Sequence, residues 1–136
     1  MKKFILLVTF LLVTAFGTSC LAAGAGSALV KEEKAADLII TAINADNTKA
    51  FPKVSKALAP ELKEKLHMNV FIALQKQVQE KFGTLKEYRL LAFERHDQSD
   101  KLAYVVAYEN DVTAEAVFLF DATHKVTEFT FTPLSV

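Results

Sequence analysis

Residues 69–95 of this chain have the sequence NVFIALQKQVQEKFGTLKEYRLLAFER, and their hydrophobic spacing changes at Gly83. Before that glycine, apolar residues recur every three or four positions, which predicts a helix from about Asn69. Its predicted buried stripe consists of Phe71, Leu74, Val78 and Phe82. Gln75 is predicted to face water. Gly83 is predicted to end the helix in a left-handed conformation, because it has no Cβ.

After Gly83 the apolar residues alternate, which is typical of strands. In the first strand, Tyr88, Leu90 and Ala92 are predicted to share one side of the sheet. Three more alternating segments follow. The predicted strands are residues 85–95, 102–109, 114–121 and 125–132. Their short polar connections predict an antiparallel meander.

The chain before residue 69 is predicted to be mainly helical. A helix at about residues 30–44 has one apolar face, formed by Ala36, Ile39, Ile40 and Ile43. Its charged residues, Glu32 among them, are predicted to lie on the other faces. Asp46-Asn47 then predicts a turn, and either side chain can cap the next helix.

Two short helices are predicted at about residues 51–58 and 60–66, before the long helix that ends at Gly83. Helices followed by strands predict the α+β fold class. We expect three to four N-terminal helices packed on a curved four-stranded antiparallel sheet.

Residues 1–25 have the pattern of an export signal. Lys2 and Lys3 give a positive start, residues 4–16 are almost entirely apolar, and small residues follow. The apolar run is shorter than the roughly 20 residues that a bilayer-spanning helix needs. Export to the periplasm, the cell envelope or the medium is therefore the predicted localisation.

Two cleavage sites are compatible with this leader. Ala23-Gly24-Ala25 fits ordinary signal peptidase, which leaves residues 26–136 as one domain. The alternative is a lipoprotein signal that ends at Cys20, where the cysteine becomes lipidated and tethers the protein to a membrane. Gly17 stands where such signals usually have leucine.

Composition excludes several function classes. The chain has 136 residues, 16 basic and 16 acidic side chains, one cysteine and four glycines. Removing Lys2 and Lys3 leaves 14 basic against 16 acidic residues, so the predicted domain lacks the basic field that nucleic-acid binding uses. One cysteine supports neither a disulfide framework nor a cysteine-based zinc site. Gly83 is the one glycine well inside the predicted domain, which excludes glycine-rich phosphate loops.

Between Glu33 and Pro133 the chain resembles the nuclear-transport-factor-2-like superfamily, the cystatin-like α+β cones. The resemblance is closest to a bacterial group of exported domains of unknown function. The segments that carry it are Asp46-Asn47, residues 58–62 (LAPEL), 82–86 (FGTLK), 118–121 (FLFD) and 125–133 (KVTEFTFTP). It implies a sheet curled around helices into a cone that holds a small ligand, and many members form homodimers through the sheet. It implies no catalytic residue and no cofactor, and the superfamily includes enzymes, binders and assembly adaptors.

Five aromatic residues are the candidate ligand-binding side chains. Tyrosine hydroxyls on a strand can project into a cone, and phenylalanines can line an apolar pocket. The candidates are Tyr88, Tyr104, Tyr108, Phe118 and Phe120. The alternative, which the pattern favours, is that these residues form an aromatic core or sheet interface.

The three histidines predict no metal site, because no two of them have ligand spacing on one element. His96-Asp97 and Asp121 with His124 are both predicted to lie in polar turns, where Asp121 accepts hydrogen bonds from backbone amides. His67 is predicted to be a structural residue, exposed or half-buried. No catalytic residue is assigned.

The sequence leaves three functions open. The first is a non-enzymatic exported domain that binds a small apolar ligand or a protein partner in the cell envelope. The second is a cone-fold isomerase, dehydratase or cyclase that uses a tyrosine and a carboxylate. The third is an inhibitor or assembly module that acts through the sheet.

Overall fold

Four helices precede four strands in the computed structural model, which describes residues 23–96 and 99–134. The helices are α1 (Ala23–Ile43), α2 (Phe51–Ala57), α3 (Pro60–Lys65) and α4 (Met68–Phe82). The strands are β1 (Leu85–Arg95), β2 (Asp100–Tyr108), β3 (Thr113–Phe120) and β4 (Val126–Pro133). The predicted α+β class and its order of elements are confirmed.

Helix α1 is longer than predicted. It begins at Ala23, whereas the apolar periodicity indicated a start near Val30. Alanine favours helix without contributing a large apolar side chain, so a helix in this alanine-rich stretch shows little periodicity. The predicted signal peptide lies mostly outside the described residues, as does Cys20. No helix within residues 23–96 and 99–134 has both the length and the hydropathy to cross a membrane.

The sheet has the order β1-β2-β3-β4, and each neighbouring pair is antiparallel. A register shift between Leu90 and Ala92 interrupts the β1–β2 ladder. Such bulges increase twist and bend a strand, which helps the sheet curve around the helices. The shift also makes one prediction wrong: Ala92 pairs with Ala103 on the outer face, and it does not share a side with Leu90.

The core lies between α1 and the concave face of the sheet. Ile39, Ile40 and Ile43 of α1 are fully buried and belong to one cluster with side chains from all four strands. The largest buried side chains of that cluster are Tyr104, Tyr108, Phe71, Phe118 and Phe120. The predicted apolar face of the first helix is therefore confirmed.

The connection between α1 and α2 depends on a buried amide. The predicted turn is present, and the Asn47 side chain accepts a hydrogen bond from the Lys49 amide. Ala50, however, precedes α2 with no side-chain cap. The prediction that Gln75 faces water is wrong: its Nε2 donates to the Ala42 carbonyl at 2.9 Å and to the Asn47 carbonyl at 2.8 Å. The Ala42 carbonyl also accepts from the Ala45 amide at 3.2 Å, so the amide of Gln75 is the second donor to Ala42 and the donor to Asn47, and it fixes α4 against this connection.

Gly83 ends α4 with positive φ, as predicted, at φ 95° and ψ −148°. That ψ lies outside the left-handed helical region, in a region that is essentially limited to glycine. A Cβ at this position would also lie 3.0 Å from Nδ2 of Asn110. The backbone conformation therefore requires glycine where the chain passes from helix to sheet, and a Cβ would also make the Asn110 side chain shift.

Candidate functional site

The predicted ligand-binding aromatics lie mainly in the core. Tyr104 and Tyr108 on β2 are 2% exposed, and their hydroxyls have no hydrogen-bond partner among the described residues. Phe118 and Phe120 on β3 are fully buried. Tyr88 on β1 is half-buried. Their role in ligand binding stays a prediction, since a ligand reaches four of them only if the core opens.

Carboxylates from α1 lie close to two of these tyrosines, which the strand sequences alone did not indicate. Burial and the neighbouring Asp37 raise the pKa of Tyr88. Burial also raises the pKa of Tyr104, with further contributions from Asp37 and Glu33. General acids work best when their pKa is near the working pH. A raised tyrosine pKa therefore weakens the case for proton transfer at this place.

An apolar cleft of about 260 Å³ lies between α4 and β4, next to the end of α1. Its walls are mostly aliphatic and aromatic side chains: Ile43, Leu74, Val78, Phe82, Phe129 and Phe131. Phe118 is stacked on Phe129 with ring centroids 5.9 Å apart, and it fixes the wall from behind. The phenylalanines of β4 thus line a surface cleft, while those of β3 fill the core beneath it.

Three polar side chains complete the lining of this cleft, one of them Thr130 on β4. Lys81 and Gln77 project from the exposed side of α4. Ligand sites are typically apolar with a few polar groups that fix orientation. The cleft has this composition, and its one charged group is a cation.

A second site lies around Glu32, near the opposite end of α1. The prediction that Glu32 faces water is wrong, because its side chain is 0% exposed. Position 32 lies four residues before Ala36 and seven before Ile39, on the same helix face. Its place on the apolar face is the sequence signal that was missed.

Glu32 meets a histidine from the β3–β4 turn. Nδ1 of His124 lies 2.9 Å from Oε2 of Glu32. The other oxygen, Oε1, is buried and has no partner among the described residues. Burial and the adjacent Asp100 raise the pKa of Glu32 to about 8. At neutral pH the carboxyl therefore keeps a proton that an exposed glutamate would lose.

Asp100 is fixed at the start of β2 by an arginine. Nε and Nη2 of Arg95 each donate to one Asp100 oxygen, at 3.2 Å in both cases. The guanidinium carbon of Arg95 also lies 5.6 Å from the centre of the Phe93 ring. Two parallel bonds and a ring contact hold the carboxylate in one orientation.

The turn before β4 positions His124. Asp121 accepts bonds from the amides of Thr123 at 2.9 Å and Lys125 at 3.0 Å, as predicted from sequence. The amide of His124 donates to the Asp121 carbonyl at 2.9 Å, and His124 has φ 67°. This left-handed conformation directs the imidazole towards α1.

Three side chains therefore meet at this second site, which we call the Glu32 cluster: Glu32, Asp100 and His124. Each offers one nitrogen or oxygen, and these atoms all lie within 4.8 Å of one another. The other two histidines are different. His67 is exposed, and His96 is paired at 3.3 Å with Glu94 on the surface. Only the Glu32 cluster brings three ligand atoms together within the described part of the chain.

Comparison with known proteins adds no assignment. No protein-family model, no curated protein and no solved structure matches this chain.

Proposed function

We propose that this chain is an exported domain of the nuclear-transport-factor-2-like type and that it binds a small apolar ligand with an anionic group. The observation that carries the proposal is the apolar cleft between α4 and β4, with Lys81 on its lining. The leader pattern at residues 1–25 supports export, and helices followed by a curved meander support the cone-like type.

The lining determines the chemistry of the ligand. Phe82, Phe129 and Phe131 offer ring faces and edges, so the cleft favours a hydrocarbon or aromatic body. Lys81 favours a carboxylate at one end of that body, since a cation beside an apolar surface attracts an anion that need not be fully desolvated. A chain-like carboxylic acid combines both properties.

The cleft volume indicates a small ligand. At about 260 Å³ it falls just below the range of roughly 300–1,000 Å³ that is typical of ligand sites. A ligand with about 12 non-hydrogen atoms, at about 0.3 kcal/mol each, binds with a Kd of about 1 mM. Weak binding of this kind is best measured by NMR titration.

Decanoate is a suitable probe. We expect amide shifts confined to the C-terminal half of α4 and to β4, and a weaker response to decanol, which lacks the charge. Lys81→Gln should weaken decanoate binding several-fold. Lys76→Gln is the matched control, because Lys76 is exposed on the same helix and does not line the cleft.

A second pair of variants tests the position of the ligand. Thr130 lines the cleft and is exposed, so Thr130→Trp should fill the space and abolish the shifts. Thr132→Trp places the same ring two residues along β4, outside the cleft, and should leave binding unchanged. Equal effects of the two tryptophans, or shifts spread over the whole sheet, would contradict the proposal.

The other two functions stay predictions. The enzyme needs a tyrosine and a carboxylate, and Tyr88 beside Asp37 is the pair that best meets this need. Tyr88→Phe should then abolish turnover of a substrate without unfolding the domain. Assembly through the sheet, including a homodimer, is tested by light scattering, where a strict monomer at high concentration would argue against it.

A further inference from the structure

We propose that the Glu32 cluster binds a divalent transition cation of the zinc class, with Glu32, Asp100 and His124 as its protein ligands. This site is separate from the apolar cleft and does not depend on it. Its ligands come from α1, from the start of β2 and from the β3–β4 turn, and they meet only in the folded chain.

The first argument is the unpaired oxygen of Glu32. Once Glu32 has lost its proton, it is a carboxylate that is 0% exposed, and each of its oxygens should be hydrogen-bonded or bound to a cation. Oε2 faces His124, but Oε1 has no partner among the described residues. A cation at the cluster would satisfy that carboxylate.

The second argument is the balance of charge. Arg95 neutralises Asp100 through two hydrogen bonds, whereas no arginine or lysine forms an ion pair with Glu32 among the described residues. The carboxylate of Asp121 adds further negative potential at Glu32. The charge of Arg95 reaches Glu32 as well, but one positive charge faces three carboxyl groups, and a divalent cation would offset the excess.

The third argument is the identity of the donors. Imidazole nitrogen and carboxylate oxygen both bind zinc, and three protein ligands with a fourth position for water is the ligand number of catalytic zinc sites. Magnesium and calcium prefer six or more oxygen ligands and rarely use imidazole. The side chain of His124 is 28% exposed, so an ion and its water can enter from that side.

The surroundings hold the ligands in place. Arg95 orients Asp100, and the Asp121 turn orients His124. Bond lengths of about 2.0–2.2 Å require ligand atoms closer together than 4.8 Å, so small side-chain movements must accompany binding. Partners of this kind orient metal ligands and tune affinity.

The test is Zn²⁺ titration of the full chain at pH 7.5 after removal of metals, followed by calorimetry and thermal melting. We expect one ion per chain and a rise in Tm of about 10 °C at a hundredfold excess over Kd. Mg²⁺ at millimolar concentration should not compete. Co²⁺ should give the visible absorption of a four- or five-coordinate site.

His124→Asn is the decisive variant. Asparagine tolerates the positive φ of this position, so the turn should persist without the imidazole. We expect at least a tenfold weaker Zn²⁺ affinity. His96→Ala is the matched control, because it removes a histidine that also contacts a glutamate but has no third ligand among the described residues, and it should change nothing.

Glu32→Gln and Asp100→Asn should weaken Zn²⁺ binding to a similar degree. Circular dichroism on each variant separates a lost ligand from a lost fold. If the wild-type chain shows no saturable Zn²⁺ binding below about 100 μM, or if binding survives in folded His124→Asn, the proposal is wrong.

Discussion

The two ends of helix α1 meet the sheet in opposite ways. At the C-terminal end, Ile43 packs against phenylalanines beside an apolar cleft. Eleven residues earlier, or about 16 Å along the helix, Glu32 is buried equally well but faces His124 and Asp100. One helix face thus supports both an apolar contact and a buried polar cluster, and burial alone does not distinguish them.

The difference shows what each contact costs. Hydrophobic burial at Ile43 stabilises the fold wherever the packing is complementary. Burial at Glu32 stabilises it only if protons, hydrogen bonds or a cation compensate for lost hydration. We therefore expect substitutions at the two ends to have opposite signs.

The largest expected effect is at the apolar end. Ile43→Ala removes a fully buried side chain and should lower the free energy of unfolding by about 2–5 kcal/mol. Denaturant titration measures this loss. Val30→Ala is the control on the same helix, where the side chain is 51% exposed and a change within about 0.5 kcal/mol is expected.

The polar end should respond in the other direction. In the presence of a chelator at pH 8, Glu32→Met should raise the free energy of unfolding by about 1–3 kcal/mol, because burial raises the pKa of Glu32 and the folded state must hold a proton that the unfolded state releases. Chemical denaturation with Lys31→Met as the exposed neighbour provides the comparison. A loss of stability would mean that the hydrogen bond to His124 contributes more than burial costs.

Gln75 differs from Glu32, because it is a buried polar side chain whose Nε2 donates two hydrogen bonds. Gln75→Leu removes the donor to the Asn47 carbonyl and one of the two donors to the Ala42 carbonyl, and should cost about 1–3 kcal/mol. Thermal melting should show no comparable loss for Gln79→Leu, which lies exposed one turn later on α4. If both variants lose the same stability, the loss comes from the changed helix propensity and not from the missing hydrogen bonds.

Glu115 is a buried carboxyl group outside the Glu32 cluster, so it tests the effect of burial by itself. It is 7% exposed on the outer face of β3, where burial raises its pKa and Lys101 lowers it. The folded state holds the proton more tightly than the unfolded state does, so stability falls as the pH rises above about 4.5.

Glu115→Gln should therefore stabilise the domain by about 1 kcal/mol at pH 7 and by less at pH 4. Glu128→Gln, at an exposed position on β4, should show no such pH dependence. A gain of equal size at both pH values would contradict a titration effect. The measurement is the urea midpoint at each pH.

Much of the fold could be predicted because its signals are local. The period change at Gly83, the stripe of α4 and the alternation of the strands each depend on neighbouring residues. Ala92 was misplaced because a bulge shifts the alternation without changing the composition. Gln75 was misplaced because its two acceptors lie 28 and 33 residues away.

The Glu32 cluster could not be predicted from spacing for the same reason. Its three ligands come from separate elements, and no motif on one element links Glu32 to His124. The spacing of Glu32 from Ala36 and Ile39 puts it on the apolar face of α1, although its charge led to the opposite prediction. Charged residues are rarely buried without a partner, so a charged residue on an apolar helix face indicates a buried polar site.

The hydrogen bond between Glu32 and His124 joins residues 92 positions apart. At a synthesis rate of about 5–20 residues per second, His124 is made roughly 5 to 18 seconds after Glu32. During that interval the carboxyl group of α1 has no imidazole to face, because His124 lies in the last hairpin of the chain. The environment of Glu32 therefore changes when the last hairpin packs on α1. A spectroscopic label next to Glu32 would follow that late step of folding in time.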